Sequence, residues 1–153
     1  MAGRSTVTNL LGFTHFTLDA MESNRQVDVI YTDFRKAFDR VSHRILIEKL
    51  RNLGIHSSLL DWIGSYLGGR KQYVKFLGHS SRSFAVKSGV PHGSHIGPLL
   101  FNIFINDIVS LLSSNCLLYA DDLKIYRVIA SHTDAILLQN DLSMISSRCV
   151  EHT

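Results

Sequence analysis

The chain has 153 residues, of which 45% are hydrophobic and 19% are charged, and its formal net charge is +3. These proportions exclude a disordered chain, and the length predicts one domain over residues 1–153 with no second domain. No apolar run approaches the ~20 residues that cross a membrane, and two cysteines form no disulfide framework. Because no signal peptide is recognisable, we expect an intracellular protein, with nucleus or cytoplasm left open.

The first two predicted elements are a helix over residues 5–24 and a strand over residues 26–34. Apolar side chains recur at helical spacing in the first segment, whereas β-branched and apolar residues fill the second. We predict that the strand is buried and ends on Asp33, so that a rigid backbone holds an acidic side chain. An acid that merely leaves the core is the alternative interpretation.

Two helices are predicted next. Ser42 is expected to cap a helix that runs to residue 53 and stops at Gly54. A second helix is expected to begin at Ser57 or Ser58 and to end at the glycine pair of residues 68–69. Both segments place leucine and isoleucine on one face, which predicts amphipathic helices.

A hairpin of two alternating strands, residues 70–77 and 83–87, is predicted about a turn at Gly78 and His79. Its basic and aromatic side chains are interleaved: Arg70, Lys71, Tyr73, Lys75, Phe76, Arg82 and Lys87. Basic residues interleaved with aromatic ones suit a nucleic-acid backbone. A solvated hairpin face is the alternative.

A glycine-containing loop over residues 88–98 leads into an apolar helix over residues 99–112. Glycines allow a backbone to approach a ligand closely, and Pro98 suits the first position of a helix. Because the helix is apolar on most sides, we predict that it is central and buried.

Two adjacent carboxylates, Asp121 and Asp122, lie between an apolar run and an alternating run. This pattern predicts a strand, a tight turn and a second strand, with both carboxylates at the tip of the hairpin. Neighbouring carboxylates repel each other, and a divalent cation such as Mg²⁺ or Mn²⁺, which prefers hard oxygen ligands, would compensate. A solvated turn is the alternative interpretation.

The last predicted element is a helix that begins near Ser131. This residue and Asp134 resemble a capping box, with Asp in place of the usual Glu or Gln. Four apolar side chains at helical spacing are expected to face the core: Ala135, Leu138, Leu142 and Ile145.

Three ordered segments resemble the motifs of reverse transcriptases: YTDFRKAFD at residues 31–39, SGVPHGS at 88–94 and YADD at 119–122. The connecting segments, including GPLLF at residues 97–101, are similar to jockey-type retrotransposons, which lack long terminal repeats. The resemblance covers nearly the whole chain. One motif alone would be a weak signal, but all three in this order and spacing are specific.

The resemblance implies an α+β fold, the palm of a right-hand polymerase, in which an antiparallel sheet packs against helices. It implies that Asp33, Asp121 and Asp122 are the catalytic residues and hold two Mg²⁺ or Mn²⁺ ions. Asp33 and Asp121 would be the principal ligands on adjacent strands, with the carbonyl of Phe34 assisting. Such a pair of ions, ~3.5–4 Å apart, activates the primer hydroxyl and neutralises the triphosphate.

The resemblance also implies the nucleotide contacts and the partners. Phe38 would lie under the sugar and exclude a 2′-hydroxyl, with simple core packing as the alternative. Pro91, His92 and Gly93 belong to the loop that would touch template and incoming nucleotide. The implied partners are an RNA template, a DNA primer and deoxynucleoside triphosphates, without a membrane.

Several positions depart from the family pattern. His92 stands where Gln is usual, Arg148 where Trp is usual and Arg35 where Ser is common. We expect a partial domain whose fingers and thumb are largely missing, with weak or no activity by itself. Apolar helices over residues 6–21 and 99–112 would then lack cover and favour self-association.

Two alternative functions remain open. A non-catalytic, nucleic-acid-binding relic would keep the same fold without turnover. An unrelated metal-dependent hydrolase would use the same carboxylates, but no His or Lys lies in a matching motif as its general base.

Overall fold

The computed structural model describes residues 6–151, with side chains described for residues 7–149. The helices in this range are α1 (Thr6–Glu22), α2 (His43–Asn52), α3 (Ser57–Leu67), α4 (Gly97–Ser110) and α5 (His132–Glu151). The strands are β1 (Gln26–Asp33), β2 (Lys71–Gln72), β3 (Lys75–Phe76), β4 (His79–Ser80), β5 (Phe84–Ala85), β6 (Asn115–Tyr119) and β7 (Asp122–Ile129). A short 3₁₀ turn spans Ala37–Arg40.

The chain divides into two compact units. The first contains the segment that ends at Phe34 together with Ile108–Cys149, and the second contains Arg35–Asp107. Helices combine with strands that all pair antiparallel, as the predicted α+β class requires. None of the helices within residues 6–151 is long and apolar enough to cross a membrane.

The first unit is built on a three-stranded sheet in the order β1-β7-β6. Its central strand supplies the buried side chains Leu123 and Ile125, because β7 has a partner on each side. The prediction that β1 is buried is wrong. β1 is an edge strand, and Tyr31 near its end is 70% exposed.

Helix α1 packs against one face of this sheet through aromatic contacts. Phe13 and Phe16 meet the Tyr126 ring edge-on, with centroids 5.0 and 4.9 Å away. Burial, together with the nearby Cys116, raises the pKa of the Tyr126 hydroxyl. The Lys124 ammonium lies 4.0 Å from the centre of the Phe13 ring, a cation–π contact that also fastens helix to sheet.

Helix α5 begins as the sequence predicts and carries a buried acid that the sequence pattern did not single out. The Asp134 carboxylate accepts hydrogen bonds from the backbone N–H groups of Ala130 and Ser131, so it caps the N-terminus of the helix. Asp141 is only 3% exposed and accepts from Ser113 and Ser114 in the segment before β6. Leu138 and Ile145 are buried as predicted.

The second unit contains α2 packed against α3, and two of its helices differ from expectation. Gly54, with φ 80°, ends α2 as predicted, but Ser42 at its start makes no side-chain capping bond. Helix α4 buries Leu100 and Phe101 on one side, whereas Leu99 is 58% exposed. The prediction of burial on most sides is therefore wrong.

The basic hairpin turns one residue earlier than predicted, at Leu77–Gly78. Both turn residues have positive φ, 46° and 82°, and the pair Phe76–His79 closes the turn. This is the backbone that a tight two-residue hairpin needs. Below the turn, Arg82 and Ser83 face a single residue of the other strand, Tyr73, so the ladder is interrupted by a bulge.

Candidate functional site

The YADD segment forms a tight hairpin between β6 and β7. Tyr119 pairs with Asp122, which leaves Ala120 and Asp121 as the two turn residues. The prediction that both carboxylates lie at the tip is therefore wrong, because Asp122 is already the first residue of β7. Ala120 has φ 51°, an unfavourable value for a residue with a side chain, and such strain often accompanies functional turns.

The strand register brings two of the predicted catalytic acids together. Asp33, the last residue of β1, lies directly opposite Asp122 in the antiparallel pair. Directly opposite residues project to the same face, with Cβ atoms about 4.5–5.5 Å apart. Asp121 directly precedes Asp122 and lies in the adjoining turn, so all three acids lie at the same end of the sheet.

A cleft of about 530 Å³ opens on this face of the first unit. Asp33 and Asp122 lie in its wall with two tyrosines, Tyr31 and Tyr119, and with Lys124. Helix α1 contributes Asn9 and Leu10 to the lining, and the sheet adds Thr32, Leu117 and Leu123. The cleft is thus acidic at the hairpin end and has aromatic side chains around it.

No ion pair neutralises the three acids in the described part of the chain, although Lys124 lies in the same cleft. Within residues 6–151, no ion pair involves Asp33, Asp121 or Asp122, and Lys124 is engaged by the Tyr31 and Phe13 rings. No cluster of three or more His, Cys, Asp or Glu side chains suited to a metal occurs in that range. A protein cage for a cation is therefore absent from the described residues, whereas a pair of carboxylates remains.

In the second unit, the loop over residues 88–94 is fastened to the 3₁₀ turn. Gly89 N–H donates to the Val41 carbonyl, and Val90 N–H donates to the Phe38 carbonyl, both at 2.8 Å. Gly89 has φ 84°, and a Cβ there would lie 2.7 Å from backbone atoms of Asp39. Only glycine fits this position without displacing backbone.

Two side chains that the sequence did not identify hold the Gly89 carbonyl. His43 Nε2 donates to it at 2.8 Å, and the Arg70 guanidinium donates to the same oxygen and to the Ser88 carbonyl. Arg70 Nε also donates to the Leu67 carbonyl at 3.0 Å. The position of Arg70 in an alternating strand pattern did not predict this role. Side-chain patterns do not reveal which backbone carbonyls a residue will bond.

Phe38 and His92 form one cluster with helix α4. The Phe38 ring stacks on the buried Phe101 ring, with centroids 4.3 Å apart, and lies 5.6 Å from the His92 ring. His92 Nε2 donates to the Asp39 carboxylate at 3.0 Å. Phe38 is half-buried, and Phe101 and His92 both contact its ring.

The predicted site residues divide between the units. Asp33, Asp121 and Asp122 belong to the first, where Phe34 directly follows β1, and Phe38 belongs to the second with the loop. In that loop, Pro91 accepts from the Ser94 hydroxyl, and Gly93 adopts φ 75°. The roles of these residues in nucleotide or template binding stay predictions.

Comparison with known proteins decides the family. The family pattern "Reverse transcriptase (RNA-dependent DNA polymerase)" matches residues 1–153. This chain belongs to the reverse transcriptase family. The resemblance seen in the three sequence motifs is thereby confirmed.

Relatives of this reverse transcriptase domain come from insect mobile elements. It is 32% identical to "Probable RNA-directed DNA polymerase from transposon BS" of Drosophila melanogaster, over 96% of this chain. It is 34% identical to the X-element counterpart of the same species, over 91% of the chain, and 33% identical to the jockey polymerase of Drosophila funebris, over 80%. The chain spans 15%, 16% and 14% of the lengths of these relatives.

Proposed function

We propose that this reverse transcriptase domain is the palm portion of an RNA-directed DNA polymerase, with Asp33, Asp121 and Asp122 as its catalytic acids. The observation that carries the proposal is the Asp33–Asp122 pair at the end of β1 and β7, inside segments that match the family. Carboxylates from two neighbouring strands are what a two-metal nucleotidyl transfer requires.

The donor set fits Mg²⁺ or Mn²⁺. Both ions prefer hard oxygen ligands, and Mg²⁺ is commonly held by one or two carboxylates with water and substrate phosphates completing its shell. Asp33 and Asp122 supply two carboxylates on one face, whereas Asp121 lies in the turn and completes no group of three metal-binding side chains in the described structure. The absence of a larger protein cage in the described residues is therefore consistent with this kind of site.

The chain's own residues would divide the work of the reaction. Asp33, Asp121 and Asp122 would hold divalent cations, which would lower the pKa of a primer hydroxyl and neutralise charge on the triphosphate. Phe38 offers a ring face for a sugar, and its rigid stack on Phe101 would make that contact selective. The loop over residues 88–94, which backbone hydrogen bonds at Gly89 and Val90 anchor, would present backbone groups to the template.

The test is primer extension on an RNA template with purified protein and millimolar Mg²⁺ or Mn²⁺. Extension that Asp121→Asn or Asp33→Asn abolishes supports the proposal, and extension unchanged in both variants overturns it. Phe38→Ala should relax discrimination against ribonucleotides in any extending preparation. Asp28→Asn is the matched control, because Asp28 lies on the same strand but outside the acidic end.

A non-catalytic nucleic-acid-binding relic is the second candidate, and His92 favours it. The family's usual Gln offers a donor and an acceptor on one amide; a neutral imidazole also does both but with different reach and angle, and Nε2 of His92 bonds the Asp39 carboxylate. We expect weak turnover at most from these 153 residues, since they match about 15% of such polymerases and misplacement by ~1 Å costs ~100-fold. Restoring Gln at position 92 should not by itself rescue extension.

A further inference from the structure

The hairpin over residues 70–87 concentrates the positive charge of the chain. It contains five of the 16 basic side chains, Arg70, Lys71, Lys75, Arg82 and Lys87, whereas all 13 acidic side chains lie elsewhere. Arg70 is occupied by backbone carbonyls, so four exposed cations remain. A polyanion is the partner that this charge distribution complements.

The register sorts the side chains onto two faces. Lys71 lies opposite Ala85, and Lys75 lies opposite Ser80. Between these ladders, Ser81 N–H donates to the Val74 carbonyl at 2.8 Å, and the extra residue of the bulge lies on the other strand, at residues 82–83. Alternation along the strand therefore places Lys71, Tyr73 and Lys75 on one face, which we call the Lys–Tyr–Lys face.

Tyr73 is accessible at the centre of this face. Tyr73 is 59% exposed even though Arg82 and Ser83 lie opposite it, and the partners of the two lysines, Ala85 and Ser80, are small. The flanking lysines are four residues apart, or about 13 Å along the strand. An aromatic ring between two cations is the arrangement that stacks a base while the backbone phosphates are neutralised.

We infer that the Lys–Tyr–Lys face is a docking surface for single-stranded RNA. Base stacking on Tyr73 requires an unpaired base, which excludes a regular duplex as the occupant. The choice of RNA over DNA rests on the proposed function, in which the template is RNA. The opposite face, with Val74, Phe76 and Phe84 exposed, has no such alternation with lysine.

The experiment measures fluorescence anisotropy of a labelled single-stranded RNA of about 15 nucleotides, long enough for one site. Tyr73→Ala should weaken binding roughly tenfold, whereas Tyr73→Phe keeps the ring and should bind as the parent does. Lys71→Gln and Lys75→Gln should each weaken binding and reduce the slope of log affinity against log salt by about 0.7. Arg51→Gln, an exposed charge on α2, is the matched control and should change neither the stacking nor the hairpin.

Unfolding midpoints of all variants are compared first, and since the altered side chains are exposed, these should agree. RNA binding that is equal in the parent, Tyr73→Ala and the lysine variants overturns the inference, as does no binding by the parent. Sedimentation with anionic phospholipid vesicles but not with RNA would assign the face to membranes and also overturn it. Failed primer extension by the parent, with RNA binding that still depends on Tyr73 and the two lysines, rejects the polymerase proposal alone.

Discussion

Asp33 and Asp122 lie directly opposite each other across the antiparallel pair β1–β7. Two like charges at this position destabilise a sheet by roughly 0.2–1 kcal/mol, and no ion pair offsets them in the described part of the chain. The fold therefore carries a local repulsion at the end of its first sheet. A bound divalent cation would turn that repulsion into attraction.

The first prediction is that Asp122→Asn stabilises the protein in EDTA, because it removes one of the two facing charges. We expect the unfolding midpoint to rise by roughly 1–3 °C. Millimolar Mg²⁺ or Mn²⁺ should stabilise the parent more than this variant, since only the parent keeps both carboxylates. Calorimetry with and without metal measures both effects.

Asp28→Asn provides the control for a charge removed from β1, because Asp28 faces Arg127 rather than an acid. It should lack the stabilisation in EDTA and respond to metal as the parent does. A lower midpoint for Asp122→Asn in EDTA would contradict the proposed repulsion.

The second prediction concerns Gly89, whose backbone has φ 84° and whose missing side chain makes room for Asp39. Gly89→Ala should destabilise the protein by roughly 3 kcal/mol, because it adds a backbone collision to the left-handed strain. Gly93→Ala shares the positive φ but meets no atom within 4 Å, so it should cost only about 1–2 kcal/mol. If both variants lose the same unfolding free energy in urea, the backbone around Gly89 moves to accommodate the added methyl group at no cost.

The third prediction is that Arg70 positions the loop over residues 88–94. Arg70→Met removes the donor to the Ser88 carbonyl, whereas the Gly89 carbonyl keeps His43, and a carbonyl left unsatisfied costs about 1–3 kcal/mol. Thermolysin should then cleave before Ile96, just past the end of the same loop, faster than in the parent. Arg82→Met, an exposed change in the same hairpin, should leave that cleavage rate unaltered; a similar increase there would assign the effect to lost charge.

The fourth prediction follows from Asp141, which is buried beneath the segment before β6. Burial acts to raise the pKa of its carboxyl, but the hydrogen bonds from Ser113 and Ser114 outweigh it and hold the pKa below its usual value. A depressed native pKa means that the unfolded chain binds the proton more readily. The stabilisation is therefore complete above the unfolded pKa of about 3.9 and is lost as pH falls through the native value.

Asp141→Asn should consequently lower the unfolding free energy at neutral pH by about 2 kcal/mol, because an amide nitrogen would face a backbone N–H. The difference between parent and variant should shrink as the pH falls below the unfolded pKa and through the lower native pKa, where the parent carboxyl takes up its proton. Chemical unfolding across that range makes the measurement. A difference that is constant with pH would place the effect in packing rather than in the charge.

The fifth prediction is self-association through α1, whose exposed apolar side chains include Leu11 at 62% and Leu18 at 53%. Sedimentation velocity at micromolar concentration should show dimers or larger species, because an exposed apolar row of this kind favours burial. Leu11→Lys with Leu18→Lys should shift the distribution toward monomer. Leu53→Lys, an equally exposed leucine outside α1, should not; a monomeric parent would refute the prediction.

The sequence by itself determined the elements and the family. Helical spacing marked α1, α2, α3 and α5, because an amphipathic pattern repeats within one segment and needs no partner to be recognised. The three motifs were sufficient to identify a reverse transcriptase, since each is a local run of residues. Gly54 and the Ser131–Asp134 pair were likewise readable, because helix ends are set by neighbouring residues.

Only the tertiary structure decided which residues face each other. The sequence pattern suggested a buried β1 and two acids at one hairpin tip, but the pairing order placed β7 at the centre and Asp122 opposite Asp33. The anchoring of Gly89 by His43 and Arg70, and the burial of Asp141, depend on backbone groups distant in sequence. Such contacts leave no periodic trace in the chain, because carbonyl and N–H groups are the same in every residue except proline, which lacks the N–H.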